Sequence, residues 1–357
     1  MTTTPTTRTP ACPPDSLASS DAVLTVENLR VRFDTEEGQL YAADGVSFSV
    51  PRGKMLALVG ESGCGKSTTA YSILRLIQKP GSIVGGSIRF FPRDGYPVDL
   101  AALRDKDPVL YRIRGGAISM IFQEPMAALS PVHTIGNQLC EAVRLHQHVS
   151  RSQARERAIA MLGHVGIPGP AARLSQYPFE LSGGMCQRVV IAMAMIGNPQ
   201  LLIADEPTTA LDVTIQAQVM GLIKRLQGEM GTSTLLITHN LGVVAQIADE
   251  VAVMYLGRVV ERGPVRQVLK HPAHPYTMGL LASLPGLARS KAKLPAIAGA
   301  VPSLAQRLSG CPFHPRCPYA QPGRCDIGTP PIMQHMTGDQ YVACLRANEI
   351  QPEKVPP

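Results

Sequence analysis

The stretch GESGCGKST, Gly60 to Thr68, limits what this chain can fold into more than any other. It fits G-x-x-x-x-G-K-[ST], follows the apolar run KMLALVG and precedes KSTTAYSILRLI, whose apolar residues recur with a helical period. Strand, Gly-rich loop and helix together open a nucleotide-binding α/β sheet. The glycines let backbone amides turn toward phosphate oxygens, and the helix N-terminus adds partial positive charge. On this reading Gly60, Glu61, Ser62, Gly63, Cys64 and Gly65 form the cradle, which continues through Lys66 into Ser67 and Thr68. Lys66 neutralises the β- and γ-phosphates, and the Ser67 hydroxyl ligates Mg²⁺.

The pattern around this loop predicts the rest of the sheet. Ahead of it, VLTVENLRVRF and YAADGVSFSV read as strands separated by polar turns. Beyond it lies a polar, helical middle over about 126–187, then two apolar strands, PQLLIADE and TSTLLITH, with a helix from Ile215 to Met230 between them. Such alternation predicts an α/β fold with a mainly parallel, buried sheet. DEVAVMYLGRVVERG reads as a closing β-hairpin, and from His271 the chain turns rich in Pro, His and Cys, which marks a boundary. LLIADEP ends in two carboxylates: Asp205 suits Mg²⁺ held through its water shell, and Glu206 suits a base that orients and deprotonates the attacking water.

LSGGMCQR, Leu181 to Arg188, resembles the signature sequence of ABC-type ATPases, and other elements stand in that family's order. Gln123 in MIFQEP resembles the Q-loop glutamine, TALD (ending in Asp212) the D-loop, and His239 in LLITHN the switch histidine. Phe33 stands where the family has an aromatic that stacks on adenine, with Tyr41 as the alternative. The resemblance implies a mainly parallel core sheet with an antiparallel β subdomain and a helical subdomain. It also implies a head-to-tail dimer, in which Ser182, Gly183 and Gly184 of one subunit close over ATP held by the other. Two anion-binding helix termini in one chain fit that arrangement. Gln123 then joins the Mg²⁺ site to a transmembrane partner, and His239 senses the γ-phosphate. Asn240 departs from the Asp usual after the switch histidine, which keeps the size and loses the charge.

The tail, ERGPVRQVLKHPAHPYTMGLLASLP followed by AIAGAVPSL and CPFHPRCPYA, resembles the C-terminal extension of dipeptide, oligopeptide and nickel importer ATPases. That implies a homologous second ATPase subunit, two permease subunits and an extracytoplasmic solute-binding protein as partners, with peptide import as the work done. Import of nickel or another solute stays open, as do a soluble ATPase acting on nucleic acid or ribosomes and a non-hydrolysing module. Intact Lys66, Asp205, Glu206 and His239 argue against the last. The division is a leader over 1–21, a nucleotide-binding domain over 22–270 and the extension over 271–357.

The 357 residues carry a net charge of +7, which suits phosphate ligands, nucleic acid or an anionic membrane, or a merely solvated surface. Scarce aromatics, 4% with no Trp, argue against a base-stacking surface, and no nucleic-acid partner is expected. The longest apolar run, VVIAMAMIG, falls well short of the ~20 residues that span a bilayer. The leader MTTTPTTRTPACPPDSLASSD has no signal-peptide core and reads as disordered. A cytosolic protein results, peripheral on the cytoplasmic face of the inner membrane.

Cys311, Cys317, Cys325 and Cys344 follow the spacing C-x₅-C-x₇-C-x₁₈-C. In the cytosol disulfides are the least expected outcome. Zinc knuckles have tighter C-x₂₋₄-C pairs, so four thiolates on Pro-stiffened loops suit a [4Fe–4S] cluster better, with zinc and no metal as alternatives. The resemblance implies the same cluster. His314 reads as a turn residue. Cys64 and Cys186 read as small space-fillers, although Cys64, at a helix N-terminus, has reason for a lowered thiol pKa and for alkylation that ATP blocks.

Overall fold

The computed structural model describes residues 21–36, 38–208, 212–284 and 297–350. Strands β1 (Ala22–Thr35) and β2 (Gly38–Pro51) lead into β3 (Met55–Val59) and helix α1 (Lys66–Ile73). Then come β4 (Gly81–Phe90), β5 (Val98–Asp99), α2 (Pro108–Ile113) and β6 (Ile118–Ile121). The helical middle holds α3 (Ile135–His146), α4 (Arg151–His164), α5 (Pro170–Arg173) and α6 (Gly183–Met195). After it β7 (Leu201–Asp205), α7 (Val213–Met230), β8 (Ser233–Thr238), α8 (Leu241–Ile247) and β9 (Glu250–Tyr255) complete the alternation. The tail adds β10 (Arg258–Pro264), α9 (Val265–Lys270), α10 (Pro275–Ala282), β11 (Gln334–His335) and β12 (Tyr341–Val342).

Two sheets result. An antiparallel sheet runs β2-β1-β4-β5, and an eight-stranded sheet runs β11-β12-β10-β9-β3-β8-β7-β6. In the second, β9, β3, β8, β7 and β6 are mutually parallel, while β10 and β12 join antiparallel. Every residue of β3, β7 and β8 is buried, as expected of parallel strands covered on both faces. One apolar cluster joins α3, α4, α6 and α7 to the sheet; another joins the antiparallel sheet to α1 and the opposite face. The α/β expectation, the antiparallel subdomain and the hairpin (β9-β10) are all present. Strand β4 escaped the sequence reading because IVGGSIRF is interrupted by two glycines.

The composition shift at His271 is not a break in packing. Tyr276 and Phe313 share a buried cluster with Val59, Val253 and Tyr255 of the main sheet, and Val342 of β12 pairs with Glu261 of β10. Glu261 is buried and accepts hydrogen bonds from the amides of Ala273 and His274 and from Gln340 Nε2. A buried carboxylate of this kind is tolerated because its oxygens are satisfied. The tail is thereby fastened to the edge of the nucleotide-binding sheet.

His274 caps α10 by accepting from the Tyr276 amide at Nδ1, 3.1 Å, so the ring proton sits on Nε2. Burial lowers its pKa to about 3 from 6.5. The unfolded chain takes up a proton below pH 6.5 that the folded chain refuses, so stability present above 6.5 is lost as pH falls toward 3. The expected slope is up to roughly 1.4 kcal/mol per pH unit. Urea midpoints at pH 7 and pH 5 check this: His274→Asn, which keeps a capping acceptor, has a shallower pH dependence than the wild type.

Candidate functional site

The register of the parallel strands decides which loops meet. Val59 lies beside Thr238, and Ile237 beside Asp205. The loops leaving β3, β8 and β7 therefore emerge side by side at one edge of the sheet, bringing Gly60, His239 and Glu206 together. Ile121 pairs with Ala204, so Gln123 leaves the sheet on the next loop.

Backbone conformation in the first loop is set by glycine. Gly65 has φ 99° and directly precedes α1, and a Cβ there would fall on the carbonyl oxygen of Ala42. Lys66 is 5% exposed, and its Nζ donates to the carbonyls of Gly60 and Glu61, both at 2.9 Å. The Glu61 amide donates to Tyr276 Oη, 2.9 Å, and its carboxylate pairs with Arg316. Glu61, expected as part of the cradle, thus directs its amide and carboxylate to the tail. Ser62, Gly63 and Thr68 lie at the loop and the start of α1.

Ser67 Oγ donates to Asp205 Oδ1 at 3.0 Å. Burial pushes the Asp205 carboxyl up to about 6, against the pull of the Ser67 hydrogen bond. Its Oδ2 is buried with no hydrogen-bond partner among the described residues. A buried carboxylate oxygen left open beside a hydroxyl suits a hard divalent cation, so Ser67 and Asp205 fit Mg²⁺. Gln123, the third expected Mg²⁺ contact, is exposed and has no hydrogen bond to Ser67 or Asp205.

Glu206, 16% exposed, takes a left-handed backbone, φ 44°, uncommon for a non-glycine residue and enriched at functional sites. His239, 68% exposed, faces it with Nδ1 at 3.3 Å from Oε1. Gln187 of α6 donates to the carbonyl of Pro207 at 2.6 Å and ties the signature helix to the loop carrying Glu206. Gln187 and Arg316 were not picked out from the sequence, since nothing local marks either one.

Ser182 is the N-cap of α6, accepting from the Met185 amide, so Ser182, Gly183 and Gly184 stand at a helix terminus as expected. Asp212 accepts from the Ile215 amide at the start of α7; Thr209, Ala210 and Leu211 lie outside the described residues. Asn240 caps α8 by accepting from the Val243 amide, a role Asp would fill equally. Phe33 is half-buried, with its ring over Gly81 and against Ile77. The guanidinium of Arg307 covers the Tyr41 ring at 4.5 Å.

The lowered pKa expected of Cys64 is not found. The residue is 1% exposed, and burial pushes its thiol up despite Lys66 Nζ at 3.8 Å. Desolvation wins because the thiol faces the core as well as the lysine. Cys186 is fully buried and fills space as expected.

The tail brings its four cysteines into one small lobe. The Cys311 amide donates to the Cys325 carbonyl. Burial pushes Cys311 up to about 12 and Cys317 to about 11. Among the described residues no group of three or more His, Cys, Asp or Glu is arranged to hold a metal ion. His314 opens a 3₁₀ turn, as expected.

No described helix is long and apolar enough to cross a membrane. The ABC transporter family matches residues 43–209, and the oligopeptide/dipeptide transporter C-terminal region matches 260–325. A protein of Brucella abortus (strain 2308) named as a peptide import ATP-binding protein is 50% identical over 93% of this chain and 99% of its own length. The dipeptide transport ATP-binding protein DppD of Bacillus subtilis (strain 168) is 50% identical over 84% of this chain and 87% of its own. Among solved structures, the ATP-binding cassette MJ0796, in a dimer bound to ADP and Pi, superposes with TM-score 0.59 at 26% identity, covering 68% of this chain and 99% of that one. With a Gly-rich loop, two carboxylates and a histidine brought together by the parallel strands, and with these relatives, this chain is an ABC-type ATPase and belongs to the ATP-binding proteins of ABC transporters, in the group carrying the oligopeptide/dipeptide C-terminal region.

Proposed function

We propose that this chain is the motor subunit of a di- or oligopeptide importer, hydrolysing ATP in a head-to-tail pair of cassettes beneath two permease subunits. The observation that carries it is the convergence of the Ser67–Asp205 and Glu206–His239 pairs beside Lys66, in a chain whose tail matches peptide-transporter relatives. Lys66 turns from the Gly60 and Glu61 carbonyls to the β- and γ-phosphates. Ser67 and Asp205, with Gln123 alongside, would hold Mg²⁺, which would neutralise charge on the phosphates. Glu206 orients water and takes its proton, and His239 contacts the γ-phosphate, moving off the Glu206 carboxylate. Ser182, Gly183 and Gly184 of the opposing subunit complete the phosphate cage, with Asp212 at the seam. Phe33, or Tyr41, stacks on the adenine. The opposing subunit is a homologous ATPase, and an extracytoplasmic binding protein delivers the solute to permeases on whose cytoplasmic face the motor docks.

The division into 22–270 (helical subdomain about 126–187) and 271–357 is part of this proposal. So is a [4Fe–4S] cluster on Cys311, Cys317, Cys325 and Cys344, supported by the donor type and by the gathering of four thiols in one lobe. Protein isolated anaerobically is expected to be brown, with broad visible absorbance and stoichiometric iron and sulfide that chelators bleach. Colourless, zinc-loaded protein would sink the cluster. For the transport reading, the complex purified by this subunit and rebuilt in vesicles is expected to accumulate labelled dipeptide on ATP addition. Uptake of nickel in place of peptide would overturn it.

A further inference from the structure

Glu61 has three polar groups, and each is committed. Its amide donates to Tyr276 Oη at 2.9 Å, and its carbonyl accepts from Lys66 Nζ at 2.9 Å. Its carboxylate takes both guanidinium nitrogens of Arg316, at 2.7 and 3.0 Å. Arg316 lies 255 positions along the chain, one residue before Cys317, and its side chain is 4% exposed against 27% for Glu61. The guanidinium is itself fixed: Nε donates to the Ala298 carbonyl at 3.2 Å, and the group lies 5.8 Å from the centre of the Tyr255 ring. Phe313 packs edge to face against both Tyr255 and Tyr276, whose rings are tilted against each other.

We propose that Arg316 is a positioning residue for ATP: from the tail it fixes and neutralises Glu61, and through the Glu61 carbonyl it sets where the Lys66 ammonium waits. Planar, bidentate Arg–carboxylate pairs fix orientation as well as charge, which a lysine cannot do. The charge matters separately. Glu61 is the second residue of the phosphate loop, and without Arg316 its carboxylate stands as an unpaired anion beside the place the triphosphate must enter. Among the described residues no other acid pairs with Arg316. The nucleotide site is therefore incomplete without the tail, which fits the tail's sharing a core with the sheet.

The inference rests on the ATP site described above, and wild-type binding of Mg·ATP by the full chain, measured alongside, tests that site separately. Arg316→Gln is expected to raise the Kd for Mg·ATP about tenfold, because a loop displaced by a fraction of an ångström loses aligned contacts. Adding Glu61→Gln removes the stranded anion, so the double variant is expected to bind more tightly than Arg316→Gln alone. A merely structural salt bridge predicts the reverse, a double variant no better than the single one, and that result would overturn the proposal; so would an unchanged Kd in folded Arg316→Gln. If Arg316→Gln does not fold, Arg316→Lys decides: it keeps the charge without the fork and is expected to raise KM for ATP more than it lowers kcat. An unchanged KM in that variant overturns the proposal.

Discussion

Glu206→Gln lowers ATP turnover by about 10²–10⁴-fold while leaving Mg·ATP bound. The amide has nearly the size of the carboxylate but cannot take a proton from water. Lys66, Ser67 and Asp205 are untouched, so ground-state binding has no reason to fall. His239 loses its charged partner at 3.3 Å, which favours rotation of the ring toward the γ-phosphate. Because the phosphate contacts persist without hydrolysis, ATP is expected to trap the paired state of the cassettes. Steady-state phosphate release measures the first effect, and nucleotide retained after gel filtration with the size of the eluting species measures the second. Turnover within a few-fold of wild type would assign the base to another group.

Gly65→Ala is expected to weaken ATP binding about a hundredfold, the scale of loss when a positioned group is displaced by an ångström. Two effects act together. The left-handed backbone, φ 99°, is roughly 1–2 kcal/mol worse for an L-residue than for glycine. More important, the added methyl would occupy the carbonyl oxygen of Ala42, backbone of β2 that cannot swing aside as a side chain can. The loop must move, and Lys66 and Ser67, the next two residues, move with it. Gly63, by contrast, has open space at its Cβ position although φ is 78°. Gly63→Ala therefore meets backbone strain alone and is expected to lose far less affinity. Calorimetric titration of both variants with Mg·ATP separates strain from collision.

Much of the site was legible because its parts are local. A Gly-rich turn between strand and helix, carboxylates at the end of an apolar strand, and a Ser-Gly-Gly helix start each need only a few neighbouring residues to take their shape. Their order along the chain, with the parallel pairing that alternating strands and helices dictate, brings the turn and the carboxylates to one end of the sheet. The capping role of Asn240 was seen only in the structure.

What failed or went unseen depended on burial and on distant partners. The thiol of Cys64 sits where a helix terminus and Lys66 should lower its pKa, yet the core around it raises it. How dry a side chain becomes is decided by everything packed on it, and a short motif does not contain that information. Glu261, Tyr276 and Phe313 fasten the residues beyond His271 to the main sheet through partners that no local pattern marks.

The sequence by itself determined the ATP chemistry and its family, because phosphate recognition is written in short-range backbone conformation and a few ionisable side chains at fixed spacing. Only the tertiary structure decided that Glu61 answers to Arg316, 255 positions away. An ion pair with one partner buried is worth forming only when the two charges meet in matched geometry. That condition belongs to the folded packing of Tyr255, Tyr276 and Phe313, and no stretch of chain carries it alone.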